Sequence, residues 1–220
     1  MQALIFDFDG LILDTETTDY ESWRRVYAEY GVELPRDAWV DTIGTDGKAF
    51  DPVERLCELT GRSLSEAEVR GRQRPLRDSL VRALEPLPGV EDWLVAARAR
   101  GMRIAIASSS PRAWVEGHLA HIDLLQHFEA LVTREQVARA KPHPDLYQRA
   151  VELFGLAPEA ALALEDSPNG LAAARAAGLR SVAVPGPMTR HLDFDDADLV
   201  LDSLATQSLE QVLERLENPE

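Results

Sequence analysis

The apolar positions of this chain fall into short continuous runs separated by longer stretches with helical spacing. "ALIF" (3–6), "RIAIA" (103–107), "ALALE" (161–165) and "RSVAV" (180–184) have the pattern of strands covered on both faces. "EALVT" (129–133) and "DLVLD" (198–202) are weaker versions of the same pattern. Between them, 90–101, 111–122, 144–155 and 167–178 read as helices, several opening on Pro or Ser and closing on Gly. Strands alternating with helices predict an α/β fold, a Rossmann-like doubly wound parallel sheet with helices on both faces.

Residues 16–83 break that rhythm. "ETTDYESWRRVYAEYG" reads as an amphipathic helix stopped by Gly31, and the chain beyond Gly31 is helical to about Leu84 with no strand-like run. The pattern predicts a small all-helical second domain at 16–83 inserted into a discontinuous core, 1–15 and 84–220. "LEPLPGV" (84–90) is the expected return hinge.

Composition narrows the partners. A length of 220 residues suits one sizeable core with a smaller insertion, and the net charge of -15 disfavours nucleic acid. A local site on an acidic protein can still hold a small anion. The single Cys57 makes an intramolecular disulfide impossible and thiolate metal sites unexpected, and it reads as a core filler on one of the inserted helices. The five histidines share no metal-ligand spacing. Trp23, Trp93 and Trp114 fit apolar helix faces and are expected in the core. "MQALIF" is too short and uncharged for a signal peptide, and no apolar run approaches the ~20 residues of a membrane span. A cytoplasmic protein, without membrane partners and monomeric, is the expectation.

In open parallel sheets, ligands bind beyond the carboxyl ends of the strands. There "FDFDG" places Asp7 and Asp9, "IASSS" places Ser108, Ser109 and Ser110, and "LEDSPNG" places Glu165 and Asp166, with Lys141 preceding "PHPDLY". Taken singly, the aspartates fit a solvated strand end, Glu165, Asp166 and Ser110 fit helix caps, and Lys141 fits a surface lysine. Taken together, they fit phosphoryl chemistry. A carboxylate can attack phosphorus once the charges are partly neutralised. The hard oxygens of Asp7, Asp9, Glu165 and Asp166 suit Mg²⁺, and Ser108 and Lys141 can hold phosphoryl oxygens.

These residues carry a resemblance. "DFDGLILDTE", "IASSS", Lys141 in "AKPHPDLY" and "LEDSPNG" are similar, in order, to the four motifs of haloacid dehalogenase (HAD) superfamily phosphatases. The helical block resembles the cap of the beta-phosphoglucomutase-like branch. The resemblance spans essentially the whole chain. It implies Asp7 as the nucleophile that becomes aspartyl phosphate, and Asp9 as general acid/base with its carbonyl on the metal. Ser108, Ser109 and Lys141 would bind the phosphoryl group. Asp166 would ligate Mg²⁺, with Glu165 a ligand or an orienter of Lys141.

The implied activity is a Mg²⁺-dependent phosphatase acting on a small phosphorylated metabolite. A phosphomutase is the alternative; beta-phosphoglucomutases usually carry His in the helix after the first motif, where this chain has Asp19. Dehalogenase relatives lack the second aspartate, so Asp9 argues against that chemistry. A non-catalytic binding protein would lack the nucleophile or the lysine, and this chain has both. Substrate specificity is expected from the cap. There "IGTDGK" (43–48) with Lys48, or Arg72 and Arg74, could reach the substrate, against the plainer reading of Arg70, Arg74 and Arg77 as one solvated face.

Overall fold

The computed structural model describes residues 1–40, 43 and 50–218. Six strands form one parallel sheet: β1 (Ala3–Phe6), β2 (Arg103–Ser108), β3 (Ala130–Thr133), β4 (Ala161–Glu165), β5 (Arg180–Ala183) and β6 (Leu199–Val200). Their spatial order is β3-β2-β1-β4-β5-β6. The chain winds from β1 through β2 to β3, then returns to lay β4 on the other side of β1. That places the topological switch point between β1 and β4, where Phe6 is in register with Leu164.

The two sheet faces follow from alternation along each strand. Leu4 and Phe6, Ile104 and Ile106, and Leu162 and Leu164 join one apolar cluster. Ala3 and Ile5, Ala105 and Ala107, and Ala161 and Ala163 join another. The bulky face is covered by α5 (Val90–Ala99), α6 (Arg112–His121) and α9 (Leu209–Glu217), the mostly alanine face by α7 (Asp145–Phe154) and α8 (Pro168–Ala176). Small side chains on the second face let α7 approach the sheet closely enough to reach the carboxyl edge of β4. The α9 helix is absent from the expected set, although Ser208 and Gln211 form a capping box and Leu209, Val212, Leu213 and Leu216 form its buried stripe.

Between β1 and α5 the described chain forms only helices: α1 (Thr15–Glu29), α2 (Arg36–Val40), α3 (Pro52–Thr60) and α4 (Glu66–Val81). They have an apolar cluster of their own, built on Trp23, Val26, Tyr27, Trp39, Leu56 and Val69 and joined by Met188 from beyond β5. Asn169 at the start of α8 donates to the Ile43 carbonyl at 2.8 Å. Where the chain leaves and re-enters the sheet layer, Leu87 N–H donates to the Ile12 carbonyl at 2.8 Å, so the two crossings lie side by side. Trp23 and Trp93 are buried as expected, and Cys57 packs at the edge of the helical cluster. Among the described residues, no helix is long and apolar enough to cross a membrane.

Gly89, before α5, has φ +90°, and a Cβ there would stand 2.3 Å from the Leu204 carbonyl carbon and the Ala205 nitrogen. Both the left-handed backbone and the contact with main chain oppose a side chain. Gly89→Ala should therefore destabilise the protein by more than about 1 kcal/mol, read as a lower urea midpoint with unchanged slope.

Candidate active site

Asp7 directly follows β1, and its N–H donates to the Leu164 carbonyl at 2.9 Å, which extends the sheet pairing to the first acidic residue. Glu165 ends β4, Asp166 follows it, and Ser108 ends β2, so three neighbouring strands deliver their groups to one edge. Lys141, from the segment between β3 and α7, is buried there with its Nζ 2.5 Å from Asp7 Oδ1 and 2.6 Å from Glu165 Oε1. The Tyr147 hydroxyl of α7 donates to the same Glu165 oxygen, and Ser167 Oγ donates to Oε2 at 3.4 Å.

Two glycines make room for these carboxylates. A Cβ on Gly10, whose φ is +84°, would lie 2.0 Å from Asp166 Oδ2. One on Gly170 would lie 1.8 Å from Glu165 Oε2. The packing is thus set by acidic oxygens rather than by apolar groups.

The charges do not balance. Burial would push the Lys141 ammonium down, but attraction and hydrogen bonding from Asp7 and Glu165 outweigh it and hold its pKa above the usual range. One ammonium cannot satisfy the rest. Burial, with repulsion from Glu165 and Asp9, pushes Asp7 up to about 8 despite Lys141. Asp166 is pushed well above the carboxylate range by burial and then by Asp7, Glu16 and Glu165.

A divalent cation fits this donor set. Asp7, Glu165 and Asp166 each offer an oxygen within 4.8 Å of the others, and all three are buried. Both Glu165 oxygens are already engaged, whereas Asp166 Oδ1 is buried with no hydrogen-bond partner. An orphaned, acceptor-only atom in a cluster of excess negative charge is what a hard cation satisfies.

Asp9 sits apart from that triad. Its Oδ1 accepts from Thr15 Oγ1 at 2.7 Å and from the Trp114 indole at 2.8 Å, and its Oδ2 accepts from Ser110 Oγ at 2.6 Å. Ser108 Oγ is 3.5 Å from Oδ2 and accepts from the Ser110 N–H at 3.0 Å. Asp9 opens onto a cleft of about 280 Å³ lined by Thr15, Glu16, Asp19, Arg77, Ser110, Pro111 and Trp114. Burial raises Asp19 to about 6, against the pull of Arg77 and a 2.8 Å hydrogen bond from Gln73. A larger cavity of about 840 Å³ lies around Arg180 and Asp198, at the end of the sheet where β5 begins, away from these groups.

Asp7, Ser108, Lys141, Glu165 and Asp166 therefore converge, with Asp9 beside Ser108 and Asp19 across the cleft, while Ser109 is half-buried next to Ser108. Arg72 and Arg74 are exposed outside the cleft lining, Arg72 pairing with Glu29 at 3.1 Å. Lys48 lies outside the described residues, as does all of "IGTDGK" except Ile43. Arg77, assigned to a solvated face, is the residue of its helix that lines the cleft. Trp114 departs from the core role expected of it: it is half-buried with its N–H on Asp9. Thr15, Ser110 and Tyr147 have site contacts that local sequence pattern does not announce, because their partners lie 6, 101 and 18 residues away.

Buried carboxylates and a lysine thus meet at the switch point of a parallel α/β sheet, the place where such folds hold ligands. The chain belongs to the haloacid dehalogenase-like hydrolase family, whose model matches residues 4–184. It is 42% identical to YhcW of Bacillus subtilis (strain 168), covering 98% of each chain. It is 34% identical to hexitol phosphatase B of Escherichia coli (strain K12), covering 96% of each. The structure of a mutant CbbY from Rhodobacter sphaeroides in complex with xylulose-1,5-bisphosphate superposes with a TM-score of 0.77 at 29% identity, over 93% of this chain and 95% of that one. The protein is an enzyme, a phosphatase of this family.

Because protons and a divalent cation compete for Asp7, whose carboxyl is raised to about 8, and for Asp166, also held above the carboxylate range, affinity for the cation should rise with pH through that value. Below it the loss should approach about tenfold per pH unit for one displaced proton. Calorimetric titration at several pH values checks this; a pH-independent affinity would contradict it.

Proposed function

We propose that the protein is a Mg²⁺-dependent phosphatase that hydrolyses a small sugar-like phosphate monoester through an aspartyl phosphate on Asp7. The observation that carries this reading is Lys141, held 2.5 Å from Asp7 within a buried carboxylate triad. Hexitol phosphatase B and the CbbY complex support a phosphorylated, polyhydroxylated substrate by similarity.

The roles follow from chemistry at each atom. Asp7 and Asp166 would hold Mg²⁺, which would neutralise phosphoryl charge and orient the substrate. An ionised Asp7 oxygen attacks phosphorus, the P–O ester bond breaks, and Asp9 gives its proton to the departing sugar oxygen. Asp9 then takes a proton from water as that water attacks the acyl phosphate, which releases inorganic phosphate and restores Asp7. Lys141 and the Ser108 hydroxyl bind the non-bridging oxygens, whose charge grows in the transition state. Glu165, occupied by Lys141, Tyr147 and Ser167, orients the lysine.

The helical segment 16–83 acts as a cap in this reading, with hinges near residues 14–15 and 86–89, and its movement admits substrate and excludes water. The acidic cleft favours hydrolysis over the mutase alternative. Glu16 and Asp19 line the cleft beside Asp9, an acidic lining that does not invite a second phosphate, and Arg77 is the one cation lining it among the described residues.

Asp7→Asn should abolish both turnover and phosphoenzyme, since an amide is a poor nucleophile. Asp9→Asn should lower the rate by about 10²–10⁴-fold through lost proton transfer. In phosphorus NMR of a hexose 1-phosphate with a catalytic amount of bisphosphate, free phosphate should grow; hexose 6-phosphate growing faster would establish the mutase instead.

A further inference from the structure

Trp93 and Trp114 show two uses of an indole. Trp93 is fully buried and donates to the main-chain carbonyls of Leu204 and Gln207 at 2.9 and 3.1 Å, a structural arrangement. Trp114 is half-buried, lines the cleft, and gives its N–H to a carboxylate at the end of another element, 105 residues away in sequence. Its ring is fixed from two directions. The Arg77 guanidinium, from α4, lies 4.7 Å from the ring centroid. The His118 ring is 4.1 Å away, and its Nδ1 is 2.7 Å from the Trp114 carbonyl.

The three close donors on Asp9 are not equivalent. A hydroxyl can donate or accept, so Thr15 and Ser110 can reverse their hydrogen bonds as the reaction proceeds. An indole N–H can only donate. The oxygen facing Trp114, Oδ1, is therefore fixed as an acceptor throughout the cycle. Oδ2, which faces the reversible hydroxyl of Ser110 at 2.6 Å, is the oxygen that can pass a proton.

We propose that Trp114 is a positioning residue for Asp9: its N–H holds Oδ1 and thereby presents Oδ2 for proton exchange with the leaving oxygen and with water. The proposal rests on the phosphatase reading. Without the indole the carboxylate has one fixed contact fewer and can rotate about its Cβ–Cγ bond, and displacement of a catalytic group by as little as 1 Å can cost about a hundredfold in rate.

The test uses Trp114→Phe, which keeps an aromatic ring beneath Arg77 and removes the donor. A sugar alkoxide is a poor leaving group and needs the Asp9 proton, whereas the nitrophenolate of p-nitrophenyl phosphate departs readily without it. The variant should lose about ten- to a hundredfold in kcat/KM on the sugar phosphate while staying within about threefold in kcat/KM on the nitrophenyl ester, because kcat/KM ends at phosphoryl transfer to Asp7. Attack of water on the aspartyl phosphate, which also uses Asp9, is common to both esters and lowers only kcat. Equal losses in kcat/KM on both esters, or no loss on either, would overturn the positioning role alone. Wild-type protein that hydrolyses neither ester would overturn the phosphatase reading, and this role with it. The contact itself has a separate readout. The indole N–H resonance missing from the nitrogen–proton NMR spectrum of Trp114→Phe should move upfield in Asp9→Ala, and an unmoved resonance would count against the hydrogen bond in solution.

Discussion

A single buried ammonium, Lys141 between Asp7 and Glu165, is the contact around which this molecule is arranged. Removing one partner of such a buried pair costs about 3–5 kcal/mol, because the remaining charge is left uncompensated. Here the surplus runs the other way. Asp166, Asp9 and Glu16 also act on this edge, and the last two stand on the loop and helix that follow β1. A fold optimised for stability alone would not gather these groups. The arrangement is intelligible as a receptor for positive charge followed by a phosphate.

The sheet topology makes that arrangement possible. Only at the switch point do two adjacent strands, β1 and β4, point their following residues at a common space without a crossover helix between them. The mostly alanine face then brings α7 close enough for Tyr147 to reach Glu165. Gly10 and Gly170 remove the last obstruction, since any Cβ would displace a carboxylate. Backbone, packing and charge converge on the same few atoms.

Much of this was legible in the sequence because the relevant signals are local. Strands buried on both faces read as continuous apolar runs, as β1 and the interiors of β2 and β4 do, with β5 apolar only in its second half. The groups at their carboxyl ends follow directly from the strand boundaries. What escaped depends on distant pairing. Trp114 looks like any aromatic on an amphipathic helix until Asp9 is brought to its edge. Arg77 shares a helical spacing with Arg74, and only the tertiary packing of α4 decides which of them meets the cleft. The α9 helix was legible in principle from Ser208 and the leucine stripe after it, but it falls after the strand–helix alternation has ended.

The central claim is that Asp7 carries the phosphoryl group in transit. Quenching the enzyme during turnover and reducing the trapped acyl phosphate with borohydride converts the modified aspartate to homoserine, which mass spectrometry locates by residue. The account predicts homoserine at position 7, dependent on substrate and on Mg²⁺. Steady phosphate release with an unmodified Asp7, or with the label on another residue, would contradict it.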